Sequence, residues 1–217
     1  MDTTVGAIFA QGQRSIKVPV PVYIRASASV VGTKEGRGPF GECFDVVGED
    51  DKFGCNTWEE AESTLQKEAL QIAIGKSGLT KDEIKYLFAG DLLGQSIASS
   101  FGLGSFQIPL IGMYVDCSTR GLTMSMAAML IAGGMAEHAA CVTSSHFASA
   151  EKEFRFPLGY GNQRPLYATW TVTGSGAFIL SGVKSETDRA MIDGLTIGKI
   201  VDFGLKDSMN MGACMAP

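Results

Sequence analysis

The residues best placed to do chemistry sit where apolar runs end. At Tyr114-Val115-Asp116-Cys117-Ser118-Thr119-Arg120-Gly121 an apolar run stops, a cysteine follows, and an uncharged stretch from Gly121 to Ala136 begins at once. A thiol at the first turn of a buried helix meets unpaired amides and the positive end of the helix dipole, which favour thiolate. Such a thiol serves as a nucleophile, and the same amides can floor an anion pocket. Arg120 adds positive charge there if it turns inward. Read as plain structure instead, Cys117 is a small apolar residue at a strand end.

Two further stretches share this arrangement. Ala89-Gly90-Asp91 ends an apolar run on a carboxylate, which serves either as a helix cap or as a pocket residue at the carboxyl end of a strand. Thr143-Ser144-Ser145-His146 places hydroxyls and an imidazole after another run. His146 can act as donor, base or metal ligand near neutral pH, or simply as a capping or solvated side chain. Lys152, Arg155 and Arg164 follow in a charged, aromatic segment. They are either a solvated loop or, converging on a cleft, a binding set for a small dicarboxylate, since arginine grips carboxylates through two parallel hydrogen bonds. Gly174-Ser175-Gly176 precedes one more apolar run, where small residues suit close packing.

The elements that must position these residues read as α/β. Tyr86–Ala89, Ile108–Val115, Ala139–Thr143 and Ala177–Leu180 are short and nearly continuous in hydrophobicity, as in strands of a mostly parallel sheet buried on both faces. Helical segments between them indicate layers of helix on sheet. Thr57-Trp58-Glu59-Glu60 forms a capping box that starts a helix. Trp58, Ala61, Leu65, Ala69, Ile72 and Ala73 form its apolar stripe, and Glu62, Gln66 and Lys67 are assigned to its other face. Thr80-Lys81-Asp82-Glu83 repeats the capping signal for a short turn. Ile16–Val31 alternates β-branched residues with Pro19 and Pro21, which reads as an edge strand or an extended arm. Gly32–Gly54 reads as a loop or small excursion, and Leu195–Val201 as a last extended piece.

Composition narrows the classes. The chain has 217 residues, of which 45% are hydrophobic and 19% charged, so there is ample apolar surface to bury. Its 18 basic residues face 23 acidic ones, a net charge of −5, which excludes nucleic-acid binding by bulk charge and offers no polybasic membrane anchor. Five scattered cysteines with no C-x-x-C spacing, beside two histidines, point to reduced thiols rather than a disulfide framework or a clustered zinc site. The opening MDTTVGAIFAQGQR carries no secretory signal pattern. Gly121–Ala136 is short for a membrane span and reads as a buried helix.

Taken together the motifs resemble the stage V sporulation protein AD family of the thiolase-like superfamily. The matching stretches run in order: Asn56-Thr57-Trp58-Glu59, Leu87-Phe88-Ala89-Gly90-Asp91-Leu92-Leu93, Cys117-Ser118-Thr119, Thr143-Ser144-Ser145-His146, Phe154-Arg155-Phe156-Pro157, Thr173-Gly174-Ser175-Gly176-Ala177 and Met215-Ala216-Pro217. The resemblance implies a thiolase-like layered α-β-α half over residues 1–203, with 204–217 opening a truncated second half. It implies a homodimer, and a half-fold with apolar faces left uncovered. It also implies binding of dipicolinic acid (pyridine-2,6-dicarboxylate) for uptake into the developing spore, beside membrane proteins of the same operon. The chain would then be intracellular in a spore-former and peripheral at the spore inner membrane. The ligand residues implied are Asp91, Cys117, Ser118, His146 and Arg155. No cofactor is expected beyond calcium carried by the ligand; Asp91, which would repel a bare dianion, would then either meet the chelated metal or donate as a protonated acid. The alternatives are a thiolase-like acyltransferase with Cys117 as nucleophile, or a scaffold that serves only assembly. Thiolases take their catalytic histidines from the second half, so only the thiol side of an acyl-transfer site is expected here.

Overall fold

The computed structural model describes residues 10–149, 171–188 and 190–206. Around one mixed sheet the chain runs β1 (Ala10–Gln11), β2 (Ser15–Val31), α1 (Thr33–Gly36), β3 (Val46–Val47), α2 (Trp58–Ser77), β4 (Tyr86–Asp91), α3 (Ile97–Leu103), β5 (Leu110–Gly112), α4 (Thr119–Ala132), β6 (His138–Ser145), β7 (Gly174–Ser181) and β8 (Ala190–Thr196). The strand order is β1-β2-β7-β6-β4-β5, with β3 and β8 also paired to β2.

Only the β5-β4-β6 side and the short β2–β3 contact are parallel. The β6–β7, β7–β2, β2–β8 and β1–β2 pairs are antiparallel, so the sheet is mixed rather than mostly parallel. A continuous apolar run reports that a strand is covered on both faces, and it reads the same in either direction. The run at Ala177–Leu180 therefore locates β7 along the chain, and its antiparallel direction is set by its neighbours β2 and β6.

β2 is not an edge. It pairs with β7 from Tyr23 to Val31 and with β8 at Ser15–Lys17 and again at Val22–Ile24. Pro19 and Pro21 fall in the gap between those two β8 registers, where no ladder donor is required of them. The prolines mark a break in the pairing of one long strand with β8, not the margin of a sheet. β8 lies earlier than the extended piece expected at Leu195–Val201, and β5 is shorter than the apolar run around it. Beyond Lys206 the residues expected to open a second half lie outside the described ones.

The sheet separates two cores. Leu87 and Ala89 of β4, Ala140 and Val142 of β6, and Ala177 and Ile179 of β7 face α2, packing on Leu65, Ala69, Leu70 and Ala73. The alternate residues Phe88, Ala139, Cys141 and Leu180 face α4, packing on Ala127, Ala128 and Ile131. Period-two alternation across strands covered on both faces gives this α-β-α layering directly. The helix α2 begins as its capping box requires: Thr57 Oγ1 accepts from Glu60 N at 3.2 Å, and the Glu60 carboxylate accepts from Thr57 N at 3.2 Å. Gly78 closes it at φ 72°, a left-handed position that favours glycine. On the outer side of α4, Met126 is exposed, as are Tyr114 and Val115 ahead of it. No helix among the described residues is long and apolar enough to cross a membrane.

Candidate functional site

The fold brings the chemistry-bearing stretches to one end of the sheet. Gly90 and Asp91 of β4 lie beside Thr143 and Ser144 of β6, and Thr143 and Ser145 lie beside Gly176 and Gly174 of β7. Ala89 pairs with Gly112, so the β5 exit toward Cys117 leaves from the same end. These are the carboxyl ends of the parallel strands β4, β5 and β6, the side on which open α/β sheets hold ligands. Backbone strain gathers there too. Gln95, Ser96 and Asp116 take φ of 66°, 55° and 47°, in the turns that follow β4 and β5.

The two faces of this end differ. On the α4 face, Cys117 lies in a single 3-10 turn, Asp116–Ser118, directly ahead of the helix. The turn is braced by its own side chains. Ser118 Oγ donates to Val115 O at 2.8 Å, Thr119 Oγ1 donates to Asp116 O at 2.8 Å, and Val115 N donates to Thr119 Oγ1 at 3.1 Å. Cys117 is exposed. Its thiol pKa is nevertheless raised, first by desolvation of the sulfur and then by the neighbouring Asp116 carboxylate; a hydrogen bond from its own backbone opposes them. The helix terminus alone suggested the opposite direction, and Asp116 is the residue that the argument from the dipole left out. Arg120 turns back over the sheet, with its guanidinium 4.2 Å from the centroid of the Phe178 ring. A Cβ at Gly176 would stand 3.4 Å from the Arg120 guanidinium, so the cation lies directly over β7 at that position. Partial burial draws the Arg120 pKa down from the usual arginine value.

The raised thiol pKa makes a direct prediction. Alkylation of Cys117 by iodoacetamide should accelerate with pH up to and beyond 9.0, the ordinary value from which its pKa is raised. A rate that levels off below about pH 8 would instead mean an activated thiolate.

On the α2 face, Asp91 is 1% exposed. Its Oδ2 accepts from the Ser99 amide at 2.8 Å and the Ser99 hydroxyl at 2.6 Å, which ties the first turn of α3 to the end of β4. Of the two roles the sequence allowed, this is the cap. A polar network surrounds it. Gln66 Nε2 donates to Ser144 Oγ at 2.8 Å, Ser99 Oγ at 3.0 Å and Gly90 O at 3.3 Å. Ser144 passes its proton to Glu62 Oε1 at 2.9 Å, and Ser149 donates to Glu62 Oε2 at 2.6 Å. Glu62 and Gln66 are fully buried, which corrects their assignment to the outer face of α2. The signal was present in the spacing: positions 62, 66, 70, 73 and 77 form a second inward row beside 61, 65 and 69. Sorting residues by polarity alone hid it.

His146 follows β6 and is fully buried, with its ring clustered against those of Trp58 and Phe147 at centroid distances of 5.4 and 5.2 Å. Both of its nitrogens are engaged by backbone groups, Asp51 O at 2.7 Å and Ala148 N at 3.1 Å. Desolvation lowers its pKa against the pull of Asp51, Glu35 and Glu59. Arg155, with Lys152 and Arg164, lies outside the described residues. Among the described residues no group of three or more His, Cys, Asp or Glu side chains is arranged to hold a metal ion.

The layering of α2 and α4 on the two faces of this sheet is a thiolase-like fold. It matches 3-oxoacyl-[acyl-carrier-protein] synthase III from Aquifex aeolicus with a TM-score of 0.51 at 13% identity, over 76% of this chain and 54% of that one. The priming β-ketosynthase of the R1128 polyketide pathway gives 0.49 at 13% identity, over 79% and 52%. The particular family follows from sequence. The chain belongs to the Stage V sporulation protein AD family, whose sequence model matches residues 12–217. It is 41% identical over 199 residues to Stage V sporulation protein AD of Bacillus subtilis (strain 168). The match covers 91% of this chain and 57% of that protein, so the chain spans a little over half the length of its relative.

Proposed function

We propose that this chain supplies one half of a protein that binds dipicolinic acid as its calcium chelate, for uptake into the developing spore. The observation that carries the reading is membership of the sporulation family over residues 12–217. The charge at the strand ends favours the chelate over the free ligand. Asp91, Asp116 and Glu62 all lie at that end, and a bare dicarboxylate dianion would be repelled by them, whereas its 1:1 calcium chelate is neutral. In this proposal the ligand lies against the Cys117 turn, with the Arg120 guanidinium offered to one carboxylate. Asp91 and His146 shape the floor from behind, and Arg155 adds a second cation. The whole protein would act as a homodimer at the spore inner membrane, held there by membrane proteins of the same operon.

The test is calorimetric titration with dipicolinate, with and without calcium, on this chain and on one extended to the full length of the relative. The chelate should bind the extended chain, and Arg120→Gln should weaken that binding about tenfold or more. Asp116→Asn, exposed beside Cys117, should weaken the chelate more than the free ligand; the reverse order would remove the metal from the reading. No heat from either chain would overturn it.

One observation favours a second reading, an acyltransferase with Cys117 as nucleophile: the thiol is exposed at the start of α4, which packs one face on the sheet. Its raised pKa opposes that reading. A thioester on Cys117 after incubation with acyl-CoA would establish it.

A further inference from the structure

His146 joins parts of the chain that are far apart in sequence. Ala148 donates its backbone N–H to Nδ1, so that nitrogen bears no proton, and Nε2 carries the single proton of a neutral ring. Nε2 donates to the carbonyl of Asp51 at 2.7 Å. Asp51 lies in the excursion between β2 and α2 and anchors it locally: its Oδ1 accepts from the amide and hydroxyl of Thr33 at 3.0 and 2.9 Å. The segment after β6 is tied in turn to the site, because Ser149 N donates to His146 O and Ser149 Oγ to buried Glu62. The imidazole is therefore a direct link between the 32–56 excursion and the strand end that carries Ser144.

We infer that His146 is a pH-operated latch: neutral, it holds the Asp51 turn of the 32–56 excursion against the end of β6, and protonated, it lets that turn go. A proton added at Nδ1 turns that nitrogen into a donor facing the Ala148 N–H. Two donors then point at each other, the ring must move, and the Nε2 contact with Asp51 is lost with it. The charged groups around the ring are Asp51 in the excursion, Glu35 in α1 and Glu59 in the first turn of α2. Lys52 stands over the Trp58 ring, 5.0 Å from its centroid, and Glu62 is reached through Ser149. The three carboxylates draw a proton toward the ring, and burial outweighs them. With the folded-state pKa below the ordinary 6.5, the latch is intact above 6.5 and fails as pH falls from there through the lower folded-state value.

Trp58 reports the event, since it touches both His146 and Phe147. In the 217-residue chain carrying Trp170→Phe, acrylamide quenching of Trp58 should rise about threefold between about pH 8 and pH 5, with far-ultraviolet circular dichroism unchanged. His146→Gln keeps an amide donor for Asp51 and cannot titrate, so its quenching should stay level. Flat quenching in the parent, an equal rise in His146→Gln, or loss of the dichroism itself would each overturn the latch. Should the variant not fold, nitrogen-15 imidazole spectra of the parent decide: a proton on Nδ1 of the neutral ring at about pH 8, or a midpoint at or above 6.5, overturns it as well. No dipicolinate enters the experiment, so the result stands apart from the ligand proposal.

Discussion

Gln66→Glu should cost about 3–5 kcal/mol of folding stability at neutral pH, close to what a marginal domain can lose before it unfolds. The two side chains are nearly isosteric, so packing is not what changes. Gln66 Nε2 is the donor that orients Ser144 and Ser99, and each of those hydroxyls gives its own proton to a carboxylate, Glu62 and Asp91. An acceptor in its place faces two oxygens that have no proton left to offer, and Gly90 O besides. A third carboxylate would then be buried in one network. Gln66→Leu removes the same bonds without adding charge and should cost less, about 2 kcal/mol. Urea unfolding of the two variants measures the difference. The sign with pH is fixed as well: the introduced carboxyl has a folded-state pKa above its unfolded value, so stability should recover as pH falls through that range. If leucine proved the more damaging, size rather than hydrogen-bond direction would be the property of Gln66 that matters.

Gly90→Ala should destabilise by about 3 kcal/mol or more, a large effect for a single methyl. A Cβ at Gly90 would stand 2.0 Å from Met113 O and 2.6 Å from Thr119 Cγ2. Met113 cannot retreat cheaply, because its amide donates to Ala89 O at 2.8 Å. The methyl must therefore push the segment from Met113 to Thr119 off the end of β4, and the Cys117 turn is part of that segment. Thermal unfolding reads the loss of stability. Iodoacetamide labelling of Cys117 reads the displacement, as a severalfold change in rate at fixed pH. A variant within about 1 kcal/mol of the parent, with Cys117 labelling unchanged, would show that the strand end accommodates a side chain and does not set the position of the turn.

Much of this molecule was legible in its residues. The capping box at Thr57 and Glu60, the apolar runs that became β4, β6 and β7, and the uncharged stretch that became α4 are local signals. Capping, helical period and two-faced burial are all decided within a few residues of the chain. The family resemblance rested on ordered motifs and needed no coordinates. So did the placement of Asp91, Cys117 and His146 after strands, which put them at candidate positions before any fold was in view.

What the sequence did not determine depends on partners distant along the chain. Strand direction in β7 and the pairing of β2 on both sides are set by which neighbour a strand meets, and an apolar run carries no direction. Glu62 and Gln66 read as solvent-facing because charged and amide side chains usually are. They are buried because Ser144 and Ser149, more than 75 residues away, supply the hydrogen bonds that burial requires. Asp91 ends β4 and Cys117 lies in the turn beyond β5, yet Asp91 faces α2 as a cap while Cys117 lies on the α4 side. The pleat of β4 decides the first and the braced turn ahead of α4 the second. Residue types and spacing named the candidates; side-chain alternation across one shared sheet decided which of them could meet.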